Sequence, residues 1–198
     1  MPAGRRPYGR RSIRLTGYDY TAPGAYFVTI CTHHRECLFD NAVFWEVAEN
    51  AWRNIPLHPH ATHVTLDEWI VMPNHVHGIL VLNERRDGWG EASGETVREN
   101  NEAPSPEASP LPKRDARLMP SSVGAIVGNY KSLVARRINR LRRTPGAPVW
   151  QRGYYDRIVR NQRALDAIRR YIRDNPVRWA EDRENLDALV GKIRRVRG

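Results

Sequence analysis

The sequence predicts an α+β fold of the ferredoxin-like kind, βαββαβ: an antiparallel sheet with helices on one face, plus a C-terminal helix carrying a tyrosine. Three observations carry that expectation. Four short runs rich in β-branched and aromatic residues stand at 25–32, 64–72, 75–82 and 150–160. Two stretches with apolar residues at helical spacing separate them, one after the first run and one after the third. Only Pro73 and Asn74 divide the second run from the third, so those two strands form an antiparallel hairpin.

Each element has its own local reason. Residues 1–24 are rich in Arg, Gly and Pro and read as a basic arm. Residues 25–32 (AYFVTICT) form the first strand. Asp40 or Asn41 caps a helix on which Val43, Phe44, Val47, Ala48, Ala51 and Trp52 recur, and Pro56 and Pro59 stop it. Residues 64–72 (VTLDEWIVM) and 75–82 (HVHGILVL) form the hairpin. From 83 to 120 Gly, Glu, Ser, Asn and Pro dominate without apolar periodicity, so this stretch reads as a disordered or variable insert. Order returns at Ser121-Ser122, after which Val123, Ile126, Val127, Tyr130, Leu133, Val134, Ile138 and Leu141 mark one helical face. Pro145 and Pro148 end that helix. Residues 150–160 (WQRGYYDRIVR) form the fourth strand, and a helix from Gln162 carries Leu165, Ile168, Tyr171 and Ile172. Pro176 bounds it, because a residue before proline avoids helical geometry. One domain over 25–180 therefore contains the insert at 83–120, and residues 181–198 form a basic, helical tail.

Composition narrows the classes. No apolar run approaches the ~20 residues needed to cross a bilayer, and no apolar stretch follows the basic N-terminus as in a secretory signal. Two cysteines, Cys31 and Cys37, are too few for a disulfide framework or a cysteine-based zinc site, so a reducing cytoplasm is expected. Residues 121–198 carry 19 Lys and Arg against 7 Asp and Glu, whereas residues 1–120 carry 13 against 15. A basic C-terminal part points to a polyanionic partner, and most of its cations are Arg, whose planar fork suits phosphate.

Two groups of residues carry chemistry. His75 and His77 leave one face of their strand together, while Val76 points the other way into apolar packing. Two neutral imidazoles side by side suit one divalent cation. Gly78 removes bulk beyond the pair, where a substrate backbone is expected to approach. The second group is Tyr171 and Asn175, four apart and so on one helix face, with Ile172 anchoring the helix to the sheet. The Asn175 amide oxygen is a hard ligand suited to Mg²⁺ or Mn²⁺ and completes a site begun by the histidines. A tyrosine oxygen beside such a metal is placed to attack a phosphodiester.

Together these residues resemble a known family. MPNHVHGIL (72–80) is similar to the histidine–hydrophobic–histidine "HUH" motif of the single-tyrosine transposases. WQRGYYDRIVRN (150–161) followed by YIRDNPVRW (171–179) resembles the C-terminal signature of their bacterial branch, the REP-associated tyrosine transposases, and the opening Tyr26-Phe27-Val28-Thr29 strand also fits. The resemblance spans most of 12–180, interrupted by the insert. It implies a ferredoxin-like nuclease core that uses a divalent metal to cut and rejoin single-stranded DNA at hairpin-forming palindromes. His75 and His77 match the metal ligands, and Tyr171 matches the nucleophile that forms a 5′-phosphotyrosine and frees a 3′-hydroxyl. Asn175 stands where the wider family commonly has a glutamine as third ligand. Family members differ in whether the tyrosine helix completes its own site or a partner's, so monomer and homodimer both stay open.

The Arg-rich helix, through Lys131, Arg136, Arg137 and Arg140, and the fourth strand, through Arg157 and Arg160, are expected to grip the DNA. Tyr154 and Tyr155 are the rival nucleophiles, but they fall on a strand and lack an Asn four residues on. Two other classes remain: a non-cleaving binder of structured nucleic acid, and a metal-dependent hydrolase using water, which would leave no tyrosine adduct.

Overall fold

The computed structural model describes residues 17–84 and 120–181. Residues 1–16 of the expected arm, 85–119 of the expected insert and 182–198 of the expected tail lie outside the described residues. The elements run β1 (Gly24–Cys31), α1 (Ala42–Arg53), β2 (Val64–Met72), β3 (His75–Leu82), α2 (Val123–Leu141), β4 (Tyr155–Val159) and α3 (Gln162–Asp174), with single 3₁₀ turns between some of them. The strands form one antiparallel sheet in the order β2-β3-β1-β4. That order is the ferredoxin-like one. Among the described residues no helix is long and apolar enough to cross a membrane.

The helix starts follow from capping. Asn41 accepts hydrogen bonds from the Val43 and Phe44 amides, Ser122 from Ala125 and Asn161 from Ala164, so each first turn has an orphan amide satisfied. Burial then fixes which face each helix presents. Tyr26, Val28 and Ile30 of β1 and Val76, Leu80 and Leu82 of β3 face α1 and α2, whose Trp52, Tyr130, Val134 and Ile138 fill one core. The alternate residues Phe27 and Ile79 face the other way and pack on Ile168 and Ile172 of α3. Both faces of the sheet are thus covered. The pair of helices belonging to the βαββαβ unit shares one face as expected, while the helix that carries Tyr171 covers the opposite one.

Three local expectations need correction. Gly78 points with Val76 and Leu80 toward α1, and a Cβ placed there would stand 2.1 Å from Cζ2 of the fully buried Trp52. Its missing side chain makes room for an indole, not for a substrate; the period-2 alternation of the strand already puts residue 78 on the face opposite His77. The fourth strand is shorter than 150–160: Trp150 pairs with Thr32 as an isolated bridge, and Gly153 turns the chain at φ 79 before β4 starts. Finally, α3 ends at Asp174, short of Pro176 as expected, but Asn175 itself keeps helical angles, φ −58 and ψ −42. Its amide donates to the Ile172 carbonyl at 3.3 Å, so the last turn tightens instead of breaking, and Asn175 holds its place one turn beyond Tyr171.

Candidate active site

The histidine pair sits at the start of β3, one residue past the tight Pro73-Asn74 turn. Its strand neighbours on β1 are Cys31 opposite His75 and Thr29 opposite His77. Both imidazoles are buried, His75 completely, and their ring centroids are 4.3 Å apart. Each Nδ1 has a partner: Asn74 Oδ1 at 2.9 Å for His75 and Thr29 Oγ1 at 2.9 Å for His77. Burial, and secondarily the neighbouring His75, hold the His77 pKa well below the ordinary 6.5. A ring kept neutral retains a lone pair, which is what a metal ligand needs.

Tyr171 reaches this pair from the opposite layer. Its hydroxyl lies 3.2 Å from Nε2 of His77, and its ring meets Phe27 edge-on at 6.2 Å. The phenol is 41% exposed, so the contact opens to solvent and a polymer has access to it. Tyr155 also lies on this face, but it is registered opposite Thr29, two strands away from His77, or roughly 9.6 Å at the usual strand spacing. Tyr154 packs against the other core. Of the three tyrosines that the sequence offers, Tyr171 has its oxygen against an imidazole.

The placement of Tyr171 is fixed from two sides. Ile168 and Ile172 are buried against the sheet, and Arg169, between them on the helix, forms a bidentate ion pair with Asp67, Nε to Oδ1 at 2.9 Å and Nη2 to Oδ2 at 2.6 Å. Arg173 adds a pair with Glu68 at 3.1 Å. Asp67 and Glu68 stand where the β2–β3 register shifts, between Leu66 and Trp69, which presents two consecutive carboxylates to one helix. Hydrogen bonding from Arg169 holds the Asp67 carboxyl below its ordinary value. Neither this clamp nor the roles of Thr29 and Asn74 were anticipated from the sequence. Register would have found Thr29; from the sequence Asn74 reads as a turn residue alone.

Beyond α3, Asn175 is 3% exposed, and Trp179 lies over His75 with ring centroids 5.9 Å apart, so the end of the helix closes toward the histidines. Among the described residues, the Nε2 atom of His75 and the Oδ1 atom of Asn175 are buried side-chain atoms that no hydrogen bond reaches. No group of three or more His, Cys, Asp and Glu side chains gathers among the described residues. The donor set at this locus is two imidazole nitrogens, with the Asn175 amide oxygen on the segment whose Trp179 lies over His75, a composition compatible with Mg²⁺, Mn²⁺ and related divalent ions.

The expected DNA-contacting residues divide into groups. Arg136, Arg137 and Arg140 are exposed on α2, on the face of the sheet away from the histidines. Arg157 is exposed on β4, opposite Phe27 and so on the histidine face, and Arg160 is exposed just after that strand. Lys131 is different. Its ammonium donates to the carbonyls of Gln151 and Gly153 at 2.8 and 2.7 Å, and burial lowers its pKa, so it ties the turn before β4 to α2.

An uncharacterized protein of Haemophilus influenzae is 33% identical over 189 residues, spanning 90% of this chain and 94% of its own length. The chain belongs to that protein's family. Among solved structures, that of a REP-associated tyrosine transposase bound to a REP hairpin superposes with a TM-score of 0.50 and 17% identity, over 90% of this chain and 74% of that one. The two share their fold, an α+β arrangement around a four-stranded antiparallel sheet. No protein-family model matches the chain.

Proposed function

We propose that this protein is a tyrosine transposase that cleaves and rejoins single-stranded DNA at hairpin-forming palindromes. The observation that carries the reading is the 3.2 Å contact between the Tyr171 hydroxyl and His77 Nε2, within one chain and at an opening to solvent. His75, His77 and Asn175 are the residues that would hold a divalent cation, which, when bound, supplies Lewis-acid polarisation of a phosphate. The Tyr171 oxygen attacks phosphorus, a Tyr–O–P bond forms, and the P–O3′ bond breaks. The phenolic proton leaves to solvent or a base, and the departing 3′-oxygen takes up a proton. The products are a 5′-phosphotyrosine and a free 3′-hydroxyl. Attack of a 3′-hydroxyl on the phosphotyrosine reverses these steps, and because the covalent link conserves the phosphodiester, no nucleotide hydrolysis is needed.

The shared fold with a transposase solved on a REP hairpin supports the substrate class, and the exposed Arg136, Arg137, Arg140, Arg157 and Arg160 supply the cations such a polyanion requires. Incubation with single-stranded hairpins and Mn²⁺ tests the proposal on a denaturing gel. A protein–DNA adduct is expected for the native protein and none for Tyr171→Phe, with hairpin affinity nearly unchanged. An equal adduct yield from both removes Tyr171 from the chemistry. Tight hairpin binding with no nicking under any divalent ion favours the non-cleaving binder instead.

A further inference from the structure

Asn74 occupies the second position of the β2–β3 turn and is 1% exposed. Its side-chain nitrogen donates to the Arg35 carbonyl at 3.1 Å, and its side-chain oxygen meets Nδ1 of His75 at 2.9 Å. These two contacts determine each other. A backbone carbonyl only accepts, so the carboxamide must turn its NH₂ toward Arg35 and its oxygen toward the imidazole. That oxygen also only accepts, so Nδ1 of His75 must carry a proton. A neutral imidazole protonated at Nδ1 has its lone pair on Nε2.

The loop that supplies the Arg35 carbonyl is held in place for this. His34 and Arg35 are consecutive residues at φ 52 and 58, a left-handed backbone that side-chain-bearing residues adopt only when their surroundings enforce it. The enforcement is visible. Thr32 donates its amide and its hydroxyl to the Asn74 carbonyl at 2.9 and 3.0 Å, and the Phe39 amide donates to the Pro73 carbonyl at 2.9 Å. The turn and the loop are thus laced from both ends, with the Asn74 carboxamide between them. Thr29 does not give the same certainty at His77, because a hydroxyl both donates and accepts.

We infer that Asn74 is a positioning residue which locks His75 in the Nδ1–H tautomer and thereby commits its Nε2 lone pair to the active-site side. The value of that commitment for cation binding rests on the proposed metal role of His75; the tautomer assignment does not. A partner on the far nitrogen of a ligating histidine typically changes metal affinity by about 10- to 100-fold.

The test uses the metal-free protein with ¹⁵N-labelled histidine, in which long-range ¹H–¹⁵N correlation distinguishes protonated from lone-pair-bearing ring nitrogens. His75 is expected to show a protonated Nδ1 and a lone-pair Nε2. Asn74→Leu is expected to yield a tautomer mixture and, by calorimetry, Mn²⁺ affinity weaker by about tenfold or more. Asn74→Asp keeps an acceptor for Nδ1–H while losing the donor to Arg35, so it is expected to restore both the tautomer and the affinity. A merely structural role would predict equal damage from both substitutions. An Nε2–H tautomer in the native protein, or an unchanged tautomer in Asn74→Leu, overturns the inference; the first needs no variant to fold. If His75 is Nδ1–H and the native protein takes up no Mn²⁺, the positioning assignment stands and the proposed metal site fails.

Discussion

Removing the Arg169–Asp67 clamp separates what anchors α3 from what aims it. The pair is bidentate and partly sheltered, with side-chain exposures of 31% and 16%, so it contributes more than a fully exposed ion pair but less than the apolar contacts of the same helix. Ile168 and Ile172, buried against Phe27 and Ile79, contribute about 1.5–3 kcal/mol each. The apolar contribution wins. Asp67→Asn therefore leaves the helix docked, lowers Tm by roughly 2–8 °C for a chain of this size, and frees the helix to shift along the sheet. Tyr171 lies two residues from Arg169, and a displacement near ~1 Å at a reacting atom is costly, so adduct formation should slow by roughly tenfold or more while hairpin affinity holds. The pH dependence carries a sign. The Asp67 carboxyl sits below its ordinary 3.8, so its contribution is complete above that value and is lost as pH falls through the native one. The Tm difference between the native protein and Asp67→Asn should be flat from about pH 5 to about pH 8 and close below pH 3.8. Comparison with the variant at each pH cancels the separate acid sensitivity of His77, whose buried neutral ring disfavours folding once the unfolded imidazole is protonated. A Tm within 1 °C of native (well under the ~2 °C lower bound) and an unchanged adduct rate would show that the clamp does not aim Tyr171.

Two other outcomes follow from the same geometry. Gly78→Ala drives a methyl to 2.1 Å from the Trp52 ring, so the indole must move by more than ~1 Å within a packed core. Calorimetry should show a loss at the upper end of the ~1–3 kcal/mol overpacking range; no loss would mean that α1 is not seated on β3 as described. Replacing His75 and His77 together with Ala should abolish Mn²⁺-stimulated cleavage, and cleavage of hairpin DNA that survives EDTA would remove the cation from the account.

The legible part of the molecule was the part governed by local rules. Strands at 64–72 and 75–82 follow from their β-branched and aromatic residues and a two-residue turn, and the start of α1 follows from Asn41, whereas Ser122 and Asn161 emerge as the caps of α2 and α3 only in the structure. The common face of His75 and His77 is a consequence of the strand period alone. What could not be read was tertiary. Gly78 was assigned to the substrate because its partner, Trp52, is 26 positions away and reachable only after the helix docks. Lys131 looked like one more cation on a basic helix until the turn at Gly153 folded its carbonyls onto the ammonium. Asp67 and Arg169 are 102 residues apart, and nothing in either neighbourhood announces the other. Asn175 kept its helical place despite Pro176 because one tightened hydrogen bond satisfied the Ile172 carbonyl that a four-residue bond would have used.

The proposed joining of the Tyr171 phenol to DNA can be read by tryptic mapping of the adduct. Cleavage after Arg170 and Arg173 releases Tyr171 on a three-residue peptide, YIR, distinct from the GYYDR peptide that carries Tyr154 and Tyr155. After reaction with a single-stranded hairpin and nuclease trimming, a residual 5′-nucleotide is expected on YIR. The modification on GYYDR, or a nicked strand with no modified peptide at all, would contradict it.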